Sequence, residues 1–366
     1  MSKLSRLLWS AALGAAGLCG AIGAAQAADG MDGALRAKAQ QAVDSGIAFL
    51  ESRQAPDGSV GHSVGLTALA LRAILENPRG VSGADKERVA RTAKFIASRQ
   101  NPDGSIVEIQ HDQSYNTAVS ITALAATHDP QWAPVIAKAQ QYLLKAQIGE
   151  SRGFAPVDSW YGGMGYGGDE RPDVSNLHVA LEALRASALD PKNPVWKKAL
   201  IFATRMQNRS ESNDQKWSGN DGGFVYSPGM DPPEFGGGTK SYGSMTAAGM
   251  LSLLFAGADK TDPRVQAAYH WLTAHYTLDT NPGTNTQTTL FYFYSAFAKV
   301  MDAYGQDDFV DSHGQHHNWR VELAQRLVGL QEHDGSWINH QSKLWWEDKP
   351  ELATAWALIA LEHALK

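Results

Sequence analysis

Hydrophobic and polar positions along this chain alternate between two kinds of helical segment. In the first kind, apolar residues recur at helical spacing on one face, which is typical of helices that pack one side against a core. In the second kind, Ala and Leu fill nearly every position, which predicts helices buried on all sides. The first kind is expected near 35–53, 84–99, 132–146, 194–206, 263–275 and 315–330. The second kind is expected near 63–75, 115–127, 174–186, 242–255, 286–301 and 352–365.

A short repeat connects each one-sided helix to the apolar helix that follows it. Gln54, Gln100 and Gln331 each begin a Gln-x-x-Asp-Gly-Ser segment, and Gln147 and Gln207 begin weaker copies that lead to Gly-Phe. Because Asp-Gly favours a tight turn, we expect these segments to be structural. Helical hairpins in strict alternation bury their apolar faces only against neighbouring hairpins. The pattern therefore predicts an all-α fold, an (α/α)6 toroid with six inner and six outer helices.

The inner helices of such a ring run parallel, so their N-termini meet at one end of the barrel. Unpaired N–H groups and positive dipole ends gather there, which makes this end the expected ligand cleft. Two long connections, 148–172 and 208–240, enter from this end and either contribute to function or plug the mouth. Arg171 and Lys240 beside the helix N-termini would suit a diphosphate.

The first residues predict export. Basic residues, an apolar stretch and a small-x-small site ending at Ala27 are typical of a cleaved signal peptide over 1–27. An uncleaved anchor and a lipoprotein processed at Cys19 are the alternatives. No later apolar stretch is long enough to span a bilayer. We therefore expect a single toroid domain over 28–366 in the periplasm or outside the cell.

Composition narrows the classes of function. The chain has 366 residues, 43% hydrophobic and 19% charged, which is enough to form a large core and excludes a disordered protein. Lys and Arg number 32 against 38 Asp and Glu, and without a basic block this net charge of −6 argues against nucleic acid as the partner. The only cysteine, Cys19, lies in the predicted signal peptide, and no nucleotide, nicotinamide or zinc-protease motif occurs. The sequence therefore predicts neither a cofactor nor a metal.

The Gln-x-x-Asp-Gly-Ser-Trp segment at 331–337, its shorter copies and the alternation of helices resemble the squalene cyclase and protein prenyltransferase superfamily. The resemblance covers nearly the whole chain after the signal peptide. It implies a terpenoid cyclase-like toroid and a large apolar ligand, an isoprenoid or a polycyclic lipid. Segment 171–178 is similar to the Asp-rich motif from which squalene–hopene cyclases protonate their substrate, and Asp173 matches its first aspartate. Ser175 and Asn176 occupy the next two acidic positions, so the usual protonation motif is incomplete.

The region that holds zinc in the prenyltransferases is also altered. Gly222 to Phe224 and the pair Ser241-Tyr242 resemble that region, but Thr239 and Ser241 stand where the resemblance places the zinc-binding aspartate and cysteine. The resemblance therefore does not extend to a zinc site. A catalytic acid would have to come from another position with a raised pKa, such as Asp214, Asp221, Asp279 or Glu351.

Among the polar residues near the expected cleft, Asp173, Asn176 and Asp221 are the predicted catalytic residues. Asp173 also suits a helix cap, and segment 213–221 also suits a network of Asx turns. His178 is either a cleft residue or a buried core histidine. The predicted ligand-binding residues are Arg171, His178, Trp217, Asn220, Lys240 and Tyr242.

Two further groups of side chains have more than one interpretation. Segment 307–317 concentrates Asp and His, and forms either a solvated turn before an outer helix or a metal site. The aromatic run 291–294 and the pair Trp345-Trp346 either line the barrel or fill its core. Three functions are consistent with these observations: a protein that binds and transforms an apolar isoprenoid or polycyclic lipid, a noncatalytic scaffold of the cell envelope, and a glycan-active protein.

Overall fold

A computed structural model describes residues 30–81, 85–108, 112–167, 171–227, 238–284 and 286–366. The predicted signal peptide, 1–27, lies outside the described residues. Within the described ranges, no helix combines the length and the apolar character needed to cross a bilayer.

Twelve α-helices alternate between an outer and an inner layer of the described chain. The outer helices are α1 (Gly33–Ser52), α3 (Lys86–Ser98), α5 (Ala133–Ala146), α7 (Pro194–Arg205), α9 (Pro263–Ala274) and α11 (Trp319–Leu330). The inner helices are α2 (Val64–Glu76), α4 (Gln113–Ala126), α6 (Val174–Ala186), α8 (Gly243–Phe255), α10 (Leu290–Tyr304) and α12 (Pro350–Leu365).

The inner helices form a closed ring. Each packs against the next inner helix in the chain, and α12 returns to pack against α2. Nearly every residue of α8 and α12 is buried, because these helices face the barrel interior on one side and outer helices on the other. The prediction of an (α/α)6 toroid is confirmed.

Local sequence signals explain where many of these helices begin. Ser63 caps α2 and Asp173 caps α6, because each side chain accepts a hydrogen bond from a backbone N–H of the first turn. Pro194 and Pro263 occupy the first position of α7 and α9, where the missing N–H has no helical partner to lose.

Glutamines at the C-terminal ends of five outer helices tie neighbouring hairpins together. The amide nitrogen of each donates to a backbone carbonyl of the next outer helix: Gln54 to Arg88 (3.3 Å), Gln100 to Val135 (2.8 Å), Gln147 to Val195 (3.0 Å), Gln207 to Arg264 (2.8 Å) and Gln331 to Ala42 (2.8 Å). The last bond joins the two ends of the ring. In that turn Gly335 has a φ of +87°, and a Cβ there would lie 2.5 Å from the Ser45 carbonyl oxygen, so only glycine fits.

Two regions depart from the predicted elements. The expected outer helix at 315–330 begins at Trp319, because the residues before it form strand β2 (His316–Asn318), antiparallel to β1 (Asp308–Val310). The expected inner helix at 286–301 begins at Leu290, because an isolated bridge between Asn281 and Thr286 holds the preceding residues in a turn.

Candidate functional site

A cavity of about 700 Å³ opens at the end of the barrel where the N-termini of the inner helices meet. This is the end at which the sequence predicts a ligand cleft. Every inner helix contributes a lining residue from its first turns or from the residue just before it: Ser63, Tyr115, Ser175, Tyr242, Tyr292 and Glu351.

Aromatic side chains contribute eight of the 24 residues that line the cavity. Tyr166 comes from the connection 148–172 and Tyr226 from the connection 208–240, so both long connections contribute to the site. Such faces suit apolar chains, fused rings or the face of a sugar. The aromatic lining residues are Tyr115, Tyr166, Tyr226, Tyr242, Tyr292, Trp345, Trp346 and Trp356.

Unfavourable backbone conformations are concentrated at this cavity. In the described part of the chain, seven residues other than glycine have φ values in the left-handed region, and five of them line the cavity. Each such residue costs of order 1–3 kcal/mol and persists only where surrounding contacts impose it, which is common at functional sites. The five residues are His62, Asp112, Thr289, Trp345 and Trp346.

Glu347 holds the Trp345-Trp346 segment against the barrel. Its buried carboxylate accepts hydrogen bonds from the backbone N–H groups of Leu290 (2.8 Å) and Tyr292 (2.9 Å), so it caps α10 from a distant part of the chain. Burial raises the pKa of Glu347 to about 7, although these hydrogen bonds oppose the rise. Sequence reasoning missed this residue, because nothing in the sequence marks a cap supplied from so far away.

Ionisable groups line the mouth of the cavity. Glu108, Asp112, Lys349 and Glu351 all contribute to the lining. The Glu108 carboxylate accepts a hydrogen bond from the backbone N–H of Val64, at the positive end of α2. The mouth therefore carries three carboxylates and one ammonium group above the aromatic walls.

Asp173 and Asn176 lie together at the start of α6, one layer behind the wall. The Asp173 carboxylate accepts hydrogen bonds from the Asn176 backbone N–H (2.8 Å) and side-chain amide (2.7 Å), which confirms the expected cap. Burial raises the pKa of Asp173 to about 6, while the hydrogen bonds from Asn176 and Tyr226 oppose the rise. Tyr226 lines the cavity and Asp173 does not, so Asp173 lies behind the wall beside Tyr226.

His178 lies one turn further along α6, buried inside the barrel. Its Nδ1 is 3.2 Å from the Tyr292 hydroxyl, and its Nε2 is 3.2 Å from Lys299 Nζ. Burial and the nearby Lys299 charge lower the pKa of His178 to about 3, so the ring is neutral at physiological pH. The structure thus places His178 among buried partners, immediately behind a tyrosine of the cavity wall.

A buried ion cluster fills the barrel interior beyond His178. Glu182 accepts hydrogen bonds from Arg72 (2.7 Å) and Lys299 (2.9 Å), and Arg72 also donates to Glu76 (2.6 Å). Burial alone would raise the pKa of Glu182, but the two cations hold it well below its usual range. Sequence reasoning missed this cluster, although single charges inside otherwise apolar helices were a visible signal.

Tyr242 and Arg171 occupy different positions relative to the cavity. Tyr242 is buried at the N-cap of α8 and lines the wall. Arg171 is partly buried near Asp173 and lies outside the lining.

Four other predicted site residues lie away from the cavity lining. Asp221 is exposed and accepts hydrogen bonds from the Gly223 N–H (2.9 Å) and the Ser241 hydroxyl (2.8 Å), which stabilise a turn. Asn220 accepts from the Ser210 backbone (2.9 Å) in the same connection. Trp217 packs against the core and Lys240 is exposed. The roles of these four residues in catalysis or binding stay predictions. The hydrogen bonds of Asp221 and Asn220 show that both stabilise the connection.

The alternative acids also differ in position. Asp214 pairs with Arg205 at 2.7 Å, and this hydrogen bond lowers its pKa, which is the opposite of what a proton donor needs. Asp279 is an exposed surface residue. Asp221, the third of these acids, stabilises the turn described above. Glu351 is the one of the four that lines the cavity.

The Asp- and His-rich segment 307–317 forms the β1–β2 hairpin. The Asp311 carboxylate accepts from two backbone N–H groups inside the turn, and His317 Nδ1 lies 2.9 Å from a Glu322 oxygen. In the parts of the chain that the structure describes, no three His, Cys, Asp or Glu side chains are grouped to hold a metal ion.

No protein-family model and no curated protein matches this chain. Solved structures do match it. A protein from Actinoplanes is 16% identical, with a TM-score of 0.54 and a match that covers 90% of this chain and 100% of that one. The type II terpene cyclase MstE from Scytonema is 11% identical, with a TM-score of 0.54 and coverage of 89% and 98%.

A glycosidase variant is 14% identical, with a TM-score of 0.52 and coverage of 92% and 99%. Identities this low establish a shared fold and leave activity open. The chain is thus similar in fold to terpenoid cyclase-like toroids, a fold that terpene cyclases share with glycosidases.

Proposed function

We propose that this protein binds a large apolar molecule, an isoprenoid or a polycyclic lipid, in the cavity at the N-terminal end of the inner helices. The observation that carries the proposal is the cavity itself. Eight aromatic side chains line it. Among the described residues, five of the seven non-glycine residues with left-handed backbone conformations also line it. Its volume of about 700 Å³ lies within the range of about 300–1,000 Å³ that is typical of small-molecule sites.

The cyclase from Scytonema supports this choice of ligand class. It has been solved with the substrate geranylgeranyl dihydroxybenzoate and with the product merosterolic acid A. The same fold thus accommodates a geranylgeranyl substrate and the product of the cyclase in that protein. The signal peptide expected over 1–27 belongs to the proposal, and it would deliver the protein to the cell envelope, where apolar lipids are abundant.

If the bound molecule is also transformed, Asp173 is the acid best placed to take part. Its pKa of about 6 leaves it partly protonated near neutral pH. It lies beside Tyr226, a residue of the cavity wall. The proposed function is binding of the molecule, with or without its transformation.

The first experiment is mass spectrometry of small molecules retained by the protein purified without detergent, followed by calorimetric titration with geranylgeraniol. Trp346 is 59% exposed at the mouth, so Trp346→Ala is expected to weaken binding several-fold with little change in stability. Val310→Ala, at an exposed apolar position outside the lining, is the control and should bind like the wild type. No retained apolar molecule and no binding of geranylgeraniol would contradict the proposal.

A glycan is the second candidate, because the mouth carries the carboxylates of Glu108, Asp112 and Glu351 beside Trp345 and Trp346. Paired carboxylates and an indole face are the groups that glycosidases use. Release of reducing ends from an oligosaccharide panel, lost in Glu351→Gln, would favour this function over lipid binding.

A further inference from the structure

Two hydroxyl groups lie where the cavity adjoins the buried ion cluster, and we call them the hydroxyl floor: those of Ser175 and Tyr292. Both side chains line the cavity and both residues are 9% exposed. The Tyr292 hydroxyl lies 3.1 Å from Ser175 Oγ and 3.2 Å from His178 Nδ1. His178 Nε2 in turn lies 3.2 Å from Lys299 Nζ. An unbroken chain of hydrogen bonds therefore connects a buried ammonium group to the cavity.

The direction of each hydrogen bond follows from the charge at the buried end. The Lys299 ammonium group pairs with Glu182 at 2.9 Å, and an ammonium group only donates, so His178 Nε2 accepts from it. A neutral imidazole that accepts at Nε2 carries its hydrogen on Nδ1 and donates it to the Tyr292 oxygen. The Tyr292 hydrogen is then donated to Ser175 Oγ.

The hydroxyl of Ser175 ends this chain. In the described residues Ser175 Oγ accepts from Tyr292 and makes no other side-chain hydrogen bond, so its own hydrogen remains to be donated into the cavity. The mouth is rich in acceptors, because Glu108, Asp112 and Glu351 place carboxylate oxygens there beside the single ammonium group of Lys349. The two ends of the cavity therefore differ in the balance of hydrogen-bond donors and acceptors that they offer to a ligand.

We propose that the hydroxyl floor binds an oxygen acceptor of the ligand, such as a carbonyl, ether or alcohol oxygen, that enters first. The ligand class is then an oxygenated isoprenoid or polycycle rather than a bare hydrocarbon. This inference rests on the proposed function, since it assigns the inner end of the same ligand. Ser175 becomes the specificity-determining residue, while Tyr292, His178 and Lys299 position its hydroxyl.

Three probes test the inference: geranylgeraniol, its methyl ether and the corresponding hydrocarbon that lacks the oxygen. The alcohol and the ether are expected to bind the wild type with similar affinity, because the floor needs only an acceptor. The hydrocarbon is expected to bind about tenfold more weakly, because it leaves a buried donor unsatisfied. Ser175→Ala and Ser175→Gly should remove this difference, because each deletes the hydroxyl that donates to the ligand. Tyr292→Phe keeps the Ser175 hydroxyl and should retain the difference, as should Tyr115→Phe at a cavity tyrosine outside the chain of hydrogen bonds.

Each outcome decides between the two proposals. Equal binding of all three probes to the wild type overturns the inference and leaves the proposed function standing. Binding of the alcohol without the ether shows that the floor accepts rather than donates, which also overturns it. Failure of every probe to bind overturns the proposed function and this inference with it. Circular dichroism and thermal unfolding identify any misfolded variant, and because Ser175→Ala and Ser175→Gly delete the same donor, one folded variant of the two is enough for the test.

Discussion

The two ends of the barrel are built from the same six inner helices and are filled in opposite ways. At the N-terminal end, aromatic side chains surround an open cavity, and five residues hold left-handed backbone conformations. Toward the C-terminal end, charged side chains fill the interior: Arg72, Glu76, Glu182, Lys299, Asp302 and His363 are all buried or nearly so.

The difference supports the proposal that a ligand binds at the N-terminal end, because ion pairs fill the C-terminal half of the barrel. The four central charges, Arg72, Glu76, Glu182 and Lys299, balance one another in ion pairs. A buried pair of this kind adds little net stability, but removal of one partner is costly. At the cavity end, residues with left-handed backbone conformations lower the free energy of unfolding, and the surrounding contacts impose these conformations. Three predictions test this contrast.

The largest effect is expected from Glu182→Leu. This substitution leaves the Arg72 and Lys299 charges buried without their shared partner, which should reduce the free energy of unfolding by about 3–5 kcal/mol. Urea unfolding followed by circular dichroism measures the loss. Glu351→Gln at the cavity mouth is the control, and because that residue only weakly pairs with Arg53 at 3.9 Å, a change below about 1 kcal/mol is expected. Equal losses in the two variants would show that the contrast between the ends is false.

The next effect is the pH dependence of the free energy of unfolding. Buried carboxyl groups at the two ends of the barrel should change this free energy in opposite directions. Burial raises the pKa of Asp173 from 3.8 to about 6, so its folded form binds a proton more tightly than its unfolded form. Its stabilising contribution is present below pH 4 and is lost as the pH rises through 6, by about 3 kcal/mol in total. Glu182, with its pKa lowered by two cations, loses its contribution as the pH falls.

The difference in free energy of unfolding between the wild type and Asp173→Asn isolates this group. It should move in favour of the wild type by about 3 kcal/mol as the pH falls from 7 to 4. Asp57→Asn serves as the control. The Ser59 hydrogen bonds lower the pKa of Asp57 from 3.8, so its contribution is lost only at lower pH and the difference should stay nearly constant over this range. Parallel curves for the wild type and Asp173→Asn would contradict a raised pKa at the cavity end.

The ring and the position of the cavity could be predicted from the sequence because both depend on local patterns. Helical spacing gives the alternation of layers, and parallel inner helices bring their N-termini together wherever the chain closes. The position of Tyr242 at the start of an inner helix predicted a cavity residue, and Tyr242 lines the cavity as the N-cap of α8. The cap of Asp173 followed from its place before an apolar segment.

The inward-facing residues could not be predicted in the same way. When a helix is apolar all round, its sequence does not tell which face points into the barrel, and so Tyr115 and Trp356 were not singled out. Asp221 and Asn220 were selected because Asn and Asp were crowded in their segment, but the same side chains satisfy turns. A charged residue inside an apolar helix, such as Glu182, was the sequence signal that could have predicted the buried ion cluster.

The smallest effect is expected at the glutamine turns, which encircle the cavity end without lining it. Gln331 donates to the Ala42 carbonyl (2.8 Å) and the Gly335 carbonyl (2.9 Å), so Gln331→Ala removes the bonds that join the last hairpin to the first. Two such bonds are worth about 1–2 kcal/mol, and the melting temperature should fall while the affinity for geranylgeraniol is retained. Gln325→Ala, at an exposed position of the same helix, should change neither quantity. Reduced affinity with an unchanged melting temperature would mean that these turns belong to the binding site rather than to the frame that surrounds it.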